Sequence, residues 1–144
     1  MEYAVIFIVI AFLIGTLGFA VPSKSSRKIS VLRMEALKIG FKISSPSIGK
    51  NLFKNKDFNS MIYQIKNTAK LKEAHFFRDK DELILYSPLK LKYSDDYNEI
   101  QNGLQNLSPF VLEIIFSNSS ISFIWKENEG LDELIKINNL LKNF

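Results

Sequence analysis

The sequence predicts an α+β protein: a single N-terminal transmembrane helix, then a small domain with an antiparallel β-sheet and covering helices. Three observations predict it. A run of 19 residues, Tyr3 to Val21, carries no charged side chain. Two stretches rich in β-branched and aromatic residues, Val111 to Ser117 and Ile121 to Lys126, flank Asn118-Ser119-Ser120 as the arms of a hairpin would. Apolar residues recur at helical spacing over 27–39 and 129–142.

The apolar run comes first. An α-helix rises about 1.5 Å per residue, so this run reaches roughly 28 Å, close to the thickness of a bilayer's hydrocarbon core. A cleaved signal peptide wants a positive n-region, and Glu2 is the only charged side chain before the run. A core helix of a soluble protein is seldom apolar on every face. Residues 1–21 therefore read as a permanent single-pass anchor. No Lys or Arg precedes the span, whereas Lys24, Arg27, Lys28 and Arg33 follow it. That asymmetry predicts the N-terminus outside and the C-terminal domain in the cytosol. Ala11 and Gly15 have small-xxx-small spacing, which predicts weak self-association of the span.

Pro22 ends the anchor, and Ser23 to Ser26 reads as a polar hinge. Ser25 or Ser26 is expected to cap a helix over 27–39. Ile29, Leu32, Ala36 and Ile39 share one face of it, while Arg27, Lys28 and Lys38 point elsewhere. Such a helix can lie in lipid headgroups or pack on its own domain. Packing on the domain is expected, because the apolar face is narrow and lacks Trp or Phe until Phe41. Gly40 follows as the residue after the helix, and 41–44 alternates like a short strand. Together these make a basic juxtamembrane segment, 22–44.

Residues 45–144 are expected to form a cytosolic α+β domain. The segment 45–58 reads as irregular. Strands are predicted at 60–65, 72–78 and 82–87, the last two joined by a tight Asp79-Lys80-Asp81 turn. Ser94 can cap a helix in which Tyr97, Ile100, Leu104 and Leu107 share a face, and Ser108-Pro109 stops it. After the hairpin, Asn128 is expected to cap a last helix over 129–142. Its first turn holds Glu129, Asp132 and Glu133 and its last turn Lys142, matching the helix dipole. Leu131, Leu134, Ile135 and Leu141 are its predicted buried stripe.

Net charge is +4, but its distribution says more. Lys24 to Lys56 holds nine basic residues and one acid, Glu35, whereas Leu83 to Phe144 holds five and eight. The basic block is the part tied to the membrane, where anionic lipid headgroups attract Lys and Arg. Lys24, Arg27, Lys28 and Arg33 are the expected contacts. The block carries no nucleic-acid motif and no interleaved aromatic pattern, so no nucleic-acid partner is expected. There is no cysteine, which agrees with a reducing compartment.

No catalytic constellation emerges, and no cofactor is expected. His75 is the only histidine; with no Cys it offers no zinc set, and beside Phe76 and Phe77 it reads as a strand residue. Asp79-Lys80-Asp81-Glu82 lacks the spacing of a calcium loop and reads as a solvated turn. Asp95-Asp96 suits a helix start. Ser47-Ile48-Gly49-Lys50-Asn51 lacks the first Gly of a phosphate loop and the Ser or Thr after its Lys. Trp125 shares a strand face with Ile121 and Phe123; core packing is its default role and partner binding its alternative.

Pro22-Ser23, Arg27, Leu32-Arg33, Ala36, Gly40, Leu107-Ser108-Pro109 and Trp125-Lys126-Glu127 form a pattern spread over most of the chain. In that pattern the chain resembles a family of uncharacterised bacterial single-pass inner-membrane proteins. Such proteins are sometimes labelled YajC-like preprotein translocase subunits. The Gly- and Val-rich β segment usual in YajC-type proteins is absent after Lys42. The resemblance implies a location, the bacterial inner membrane, and a fold. The expected function is that of a membrane-anchored, non-enzymatic interaction or scaffold protein at the cytoplasmic face. The alternative is an accessory subunit of a membrane machine such as the preprotein translocase.

Overall fold

The protein is described from a computed structural model, which covers residues 1–45, 53–55 and 60–144. Helix α1 (Glu2–Ala20) is followed by α2 (Lys24–Ile39), then strands β1 (Lys42–Ser44), β2 (Ile62–Lys66), β3 (Ala74–Asp79) and β4 (Glu82–Ser87). A 3-10 turn (Leu89–Tyr93) leads to α3 (Tyr97–Gln105). Strands β5 (Val111–Phe116) and β6 (Ser120–Trp125), a second 3-10 turn (Glu127–Glu129) and α4 (Leu131–Lys142) complete the chain. The six strands form one sheet in the order β1-β2-β6-β5-β3-β4, antiparallel throughout. This is the predicted α+β architecture with a candidate membrane span.

Helix α1 buries no residue, so among the described residues its apolar side chains have no packing partner. It ends because Pro22 forces the preceding residue out of the helical region: Val21 is extended, at φ −81° and ψ 115°. Helix α2 starts three residues earlier than predicted. Ser23, rather than Ser25 or Ser26, is the cap, and its Oγ accepts the Ser26 N–H at 3.1 Å. The expected hinge is thus largely helix. At the other end Gly40 adopts φ 107°, as predicted, and the N–H of Phe41 reaches back to the Ala36 carbonyl at 3.1 Å. Leu32 and Ala36 are buried as expected, but Ile29 is only half-buried and Ile39 is exposed.

The sheet has two apolar faces. One carries Tyr63, Phe76, Ile114, Phe116, Ile121, Phe123 and Trp125 against α2 and α4. Phe41 meets Tyr63 and Phe123 edge-on, each at 5.9 Å between ring centroids. Segment 22–44 therefore shares a core with the rest: β1 pairs with β2, and Leu32, Ala36 and Phe41 lie in the main cluster. The other face carries Ile62 and Ile124, covered by Phe53, with Leu112 and Ile115 alongside.

Strands fall close to their predicted places, and the 111–126 hairpin is where the sequence put it. A bulge between Val111 and Glu113 is the irregularity the pattern hid. It lets Val111 and Ile114 both face the main core. Two helices begin differently from expectation. Gly130 (φ 84°) precedes α4 in place of Asn128, because 127–129 forms a 3-10 turn. Leu134 and Leu141 are buried as predicted, but Ile135 is 39% exposed, and Ile137 and Asn138 take the buried positions. Asp96, rather than Ser94, precedes α3, since Ser94 closes the 3-10 turn. The Ser47 to Asn51 stretch and most of the segment expected to be irregular lie outside the described residues.

Candidate functional site: a basic helix clamped to the sheet

Helix α2 carries five of the chain's basic residues and one acid. Lys24, Arg27 and Lys28, three of the four expected headgroup contacts, are exposed in its first turns. Arg33 is not free for that role. Its Nε and Nη2 donate to the two carboxylate oxygens of Glu127 at 2.8 and 2.7 Å. The Tyr63 hydroxyl donates to the same Glu127 at 2.6 Å. Three elements distant in sequence meet here: α2, the turn after β6, and β2.

Both Glu127 oxygens are used, and a two-point guanidinium–carboxylate pair fixes orientation as well as distance. The hydrogen bond to Glu127 raises the Arg33 pKa further, against the opposing effect of burial. Tyr63 is also raised, chiefly by burial and then by its bond to the carboxylate, so it stays a neutral donor. A small cleft of about 300 Å³ opens beside the clamp, between the first turns of α2 and the 3-10 turn; Lys24, Lys28, Leu32 and Glu127 are among its lining.

A second polar centre lies on the sheet's other face. Glu113 is 2% exposed in an otherwise apolar strand. Its carboxylate meets His75 Nε2 at 2.5 Å and accepts the backbone N–H groups of Lys54 and Asn55 at 2.6 and 2.9 Å. Burial pushes the Glu113 pKa up, but the His75 bond and the two amides outweigh it and hold the carboxyl below its ordinary value. This cluster staples residues 53–55 over the sheet. Lys54 Nζ in turn sits 4.6 Å from the Phe77 ring centroid and 4.0 Å from that of Tyr86.

An open cleft of about 680 Å³ adjoins the staple, with Lys54, Lys80 and Lys126 on its lining. Arg78 also lines it but serves the fold. Its Nε donates to the Val111 carbonyl at 2.6 Å, and Nη1 and Nη2 donate to those of Asp81 and Ser108.

Trp125 is 2% exposed and meets Tyr63 edge-on at 5.7 Å. It is a core residue, and its burial removes it from any surface contact. Lys80 takes the left-handed conformation (φ 54°) in the tight β3–β4 turn. Among the described residues no group of three or more His, Cys, Asp or Glu side chains is placed to hold a metal ion.

Sequence reasoning missed the partners rather than the elements. Glu113 was visible as the one charge inside Val-Leu-Glu-Ile-Ile-Phe, and it lies opposite the strand with the only histidine. Glu127 stood out only within the Trp125-Lys126-Glu127 motif, and nothing there named Arg33 or Tyr63 as its partner, since an acid after a strand is ordinarily solvated. No protein-family model, curated protein or solved structure matches the chain.

Proposed function

We propose that this chain is a membrane-anchored, non-enzymatic interaction module, holding a small cytosolic α+β domain against the inner face of a bacterial cytoplasmic membrane. One observation carries the reading. Helix α1 is long and apolar enough to cross a membrane, is exposed along its whole length among the described residues, and stops three residues before a basic helix built into the domain. Lys24, Arg27 and Lys28 then lie at headgroup level, where each contributes roughly 1 kcal/mol of attraction to anionic lipid. The Arg33–Glu127–Tyr63 clamp makes α2 and the sheet one body, so the domain is held at the surface in a defined attitude rather than on a loose string.

A second reading makes the chain an accessory subunit of a larger membrane machine, such as the preprotein translocase. What favours it is the span itself: Ala11 and Gly15 leave a narrow, open face on which another transmembrane helix could pack. Cross-linking in intact cells, followed by identification of the cross-linked protein, tests both. A stable complex that survives mild detergent and native sizing supports the subunit. A monomer captured only with partners of its soluble domain supports the interaction module. Release of the full chain from membranes by alkaline extraction would remove both.

A further inference from the structure

Helix α2 has a second face that the core does not use. At 100° per residue, Arg27, Val31, Met34 and Lys38 fall within about 60° of one another and roughly opposite the buried Leu32 and Ala36. Val31 and Met34 are each 59% exposed, and Leu37, at the edge of this face, is 56% exposed. Apolar side chains thus sit in the middle of an outward stripe with Arg27 at one end and Lys38 at the other. Lys38 is partly neutralised by Glu35, 2.7 Å away. Lys24 extends the stripe toward the span.

We propose that this outward face of α2 lies on the anionic bilayer surface, with Val31 and Met34 dipping below the headgroups while Lys24, Arg27 and Lys38 hold phosphate-level charge. The inference rests on the membrane-anchor reading and adds which residues touch lipid. The short link to α1 and the make-up of the stripe select the bilayer as the occupant. The four Cα–Cα steps from Ala20 to Lys24 reach at most about 14 Å, so α2 begins within or just beyond the headgroup layer. The stripe also has the make-up of an interfacial helix: cations flanking apolar side chains, with long Lys and Arg stems able to reach up from the acyl boundary. The expectation that α2 packs on its domain holds for Leu32 and Ala36; the far side is what meets lipid. The helix is a two-sided adaptor, with the clamp fixing one side and the bilayer the other.

The chain has no native cysteine, so single-site labels are clean. The full-length protein is reconstituted in nanodiscs of zwitterionic lipid, and of the same lipid mixed with phosphatidylglycerol. Val31→Cys, Met34→Cys and, as a distant exposed control, Lys90→Cys carry a polarity-sensitive fluorophore. In anionic discs the labels at 31 and 34 should shift to the blue, lose quenching by aqueous iodide and gain quenching by a lipid-borne nitroxide; the label at 90 should change in none of these. Arg27→Glu with Lys38→Glu, both exposed positions, should reverse the shift. Water-exposed labels at 31 and 34 in a chain that resists alkaline extraction would overturn this inference and leave the anchor standing. Iodide protection without nitroxide quenching would overturn it in favour of packing between copies. A chain that alkaline extraction strips from membranes would overturn the anchor itself.

Discussion

Arg33 and Glu127 are 94 residues apart in sequence and form a two-point ion pair, 2.7 Å at its closest, over which the Tyr63 hydroxyl closes from a third element. Arg33 remains about a third exposed, so water screens part of the attraction; the Glu127 side chain is only 9% exposed. The pair is therefore worth more than a surface salt bridge and less than a fully buried one. Arg33→Met and Glu127→Gln should each destabilise by about 1–2 kcal/mol in urea titration. Their double-mutant cycle should return a coupling of about 1 kcal/mol, shrinking in high salt. Additive effects would mean that the two side chains do not hold each other, and the rigid link between α2 and the sheet would go with them.

Glu113 should set an acid limb of the stability curve. Its folded pKa lies below its ordinary 4.5, so the unfolded chain binds more protons as pH falls through that value. The stability it contributes is present above about 4.5 and is lost progressively as pH falls toward and through the depressed folded value. Glu113→Gln should flatten this limb and cost about 2–4 kcal/mol at neutral pH, since His75 and two amides lose a charged acceptor. Chemical denaturation between pH 7 and 3 reads both effects. An unchanged acid limb in the variant would assign the acid sensitivity to other carboxylates.

Elements with strong local signals were legible. The uncharged run announced α1, the β-branched and aromatic runs announced β5 and β6, and Gly40 marked the end of α2. Helix starts were less so, because several capping residues compete over short distances: Ser23, Ser25 and Ser26 are chemically equivalent, and the choice fell to the one nearest Pro22. The buried α4 stripe takes Ile137 rather than Ile135 because 134, 137, 138 and 141 recur at i, i+3, i+4 and i+7, whereas Ile135 lies about 100° round from Leu134 and away from that centre. The site was the least legible. A clamp between residues 33, 63 and 127 depends on which strands become neighbours, and the order β1-β2-β6-β5-β3-β4 is a long-range outcome that periodicity does not encode.

Trp125 meets Tyr63 edge-on where Tyr63 and Phe123 stack, at 5.9 Å between centroids, in the core cluster that also holds Leu32 and Ala36 of α2. Trp125→Ala should cost about 3–5 kcal/mol, whereas Trp125→Phe, which keeps a ring in place, should cost well under half of that. Thermal melts monitored by circular dichroism separate the two. Near-wild-type melting of Trp125→Ala would show that the ring adds little to the stability of the core.

The proposed orientation rests on Lys24, Arg27 and Lys28, the basic residues nearest the span, with Arg33 paired to Glu127 within the domain. Reporter fusions after Phe144 should behave as cytosolic: a periplasm-dependent phosphatase should be inactive there and a cytosol-dependent fluorescent protein active. Changing Lys24, Arg27 and Lys28 together to Gln removes the charge that opposes translocation of the segment after the span. It leaves the clamp and the buried Leu32 and Ala36 intact, so the domain should still fold, as limited proteolysis would report. Part of the population should then insert with the domain outside, visible as phosphatase activity that the parent fusion lacks. Lys24 and Lys28 changed to Arg, with Arg27 kept, should retain the parental topology, which separates charge from any need for lysine. An active phosphatase on the unmodified chain would reverse the assignment, placing the domain on the outer face and its basic helix against the opposite leaflet.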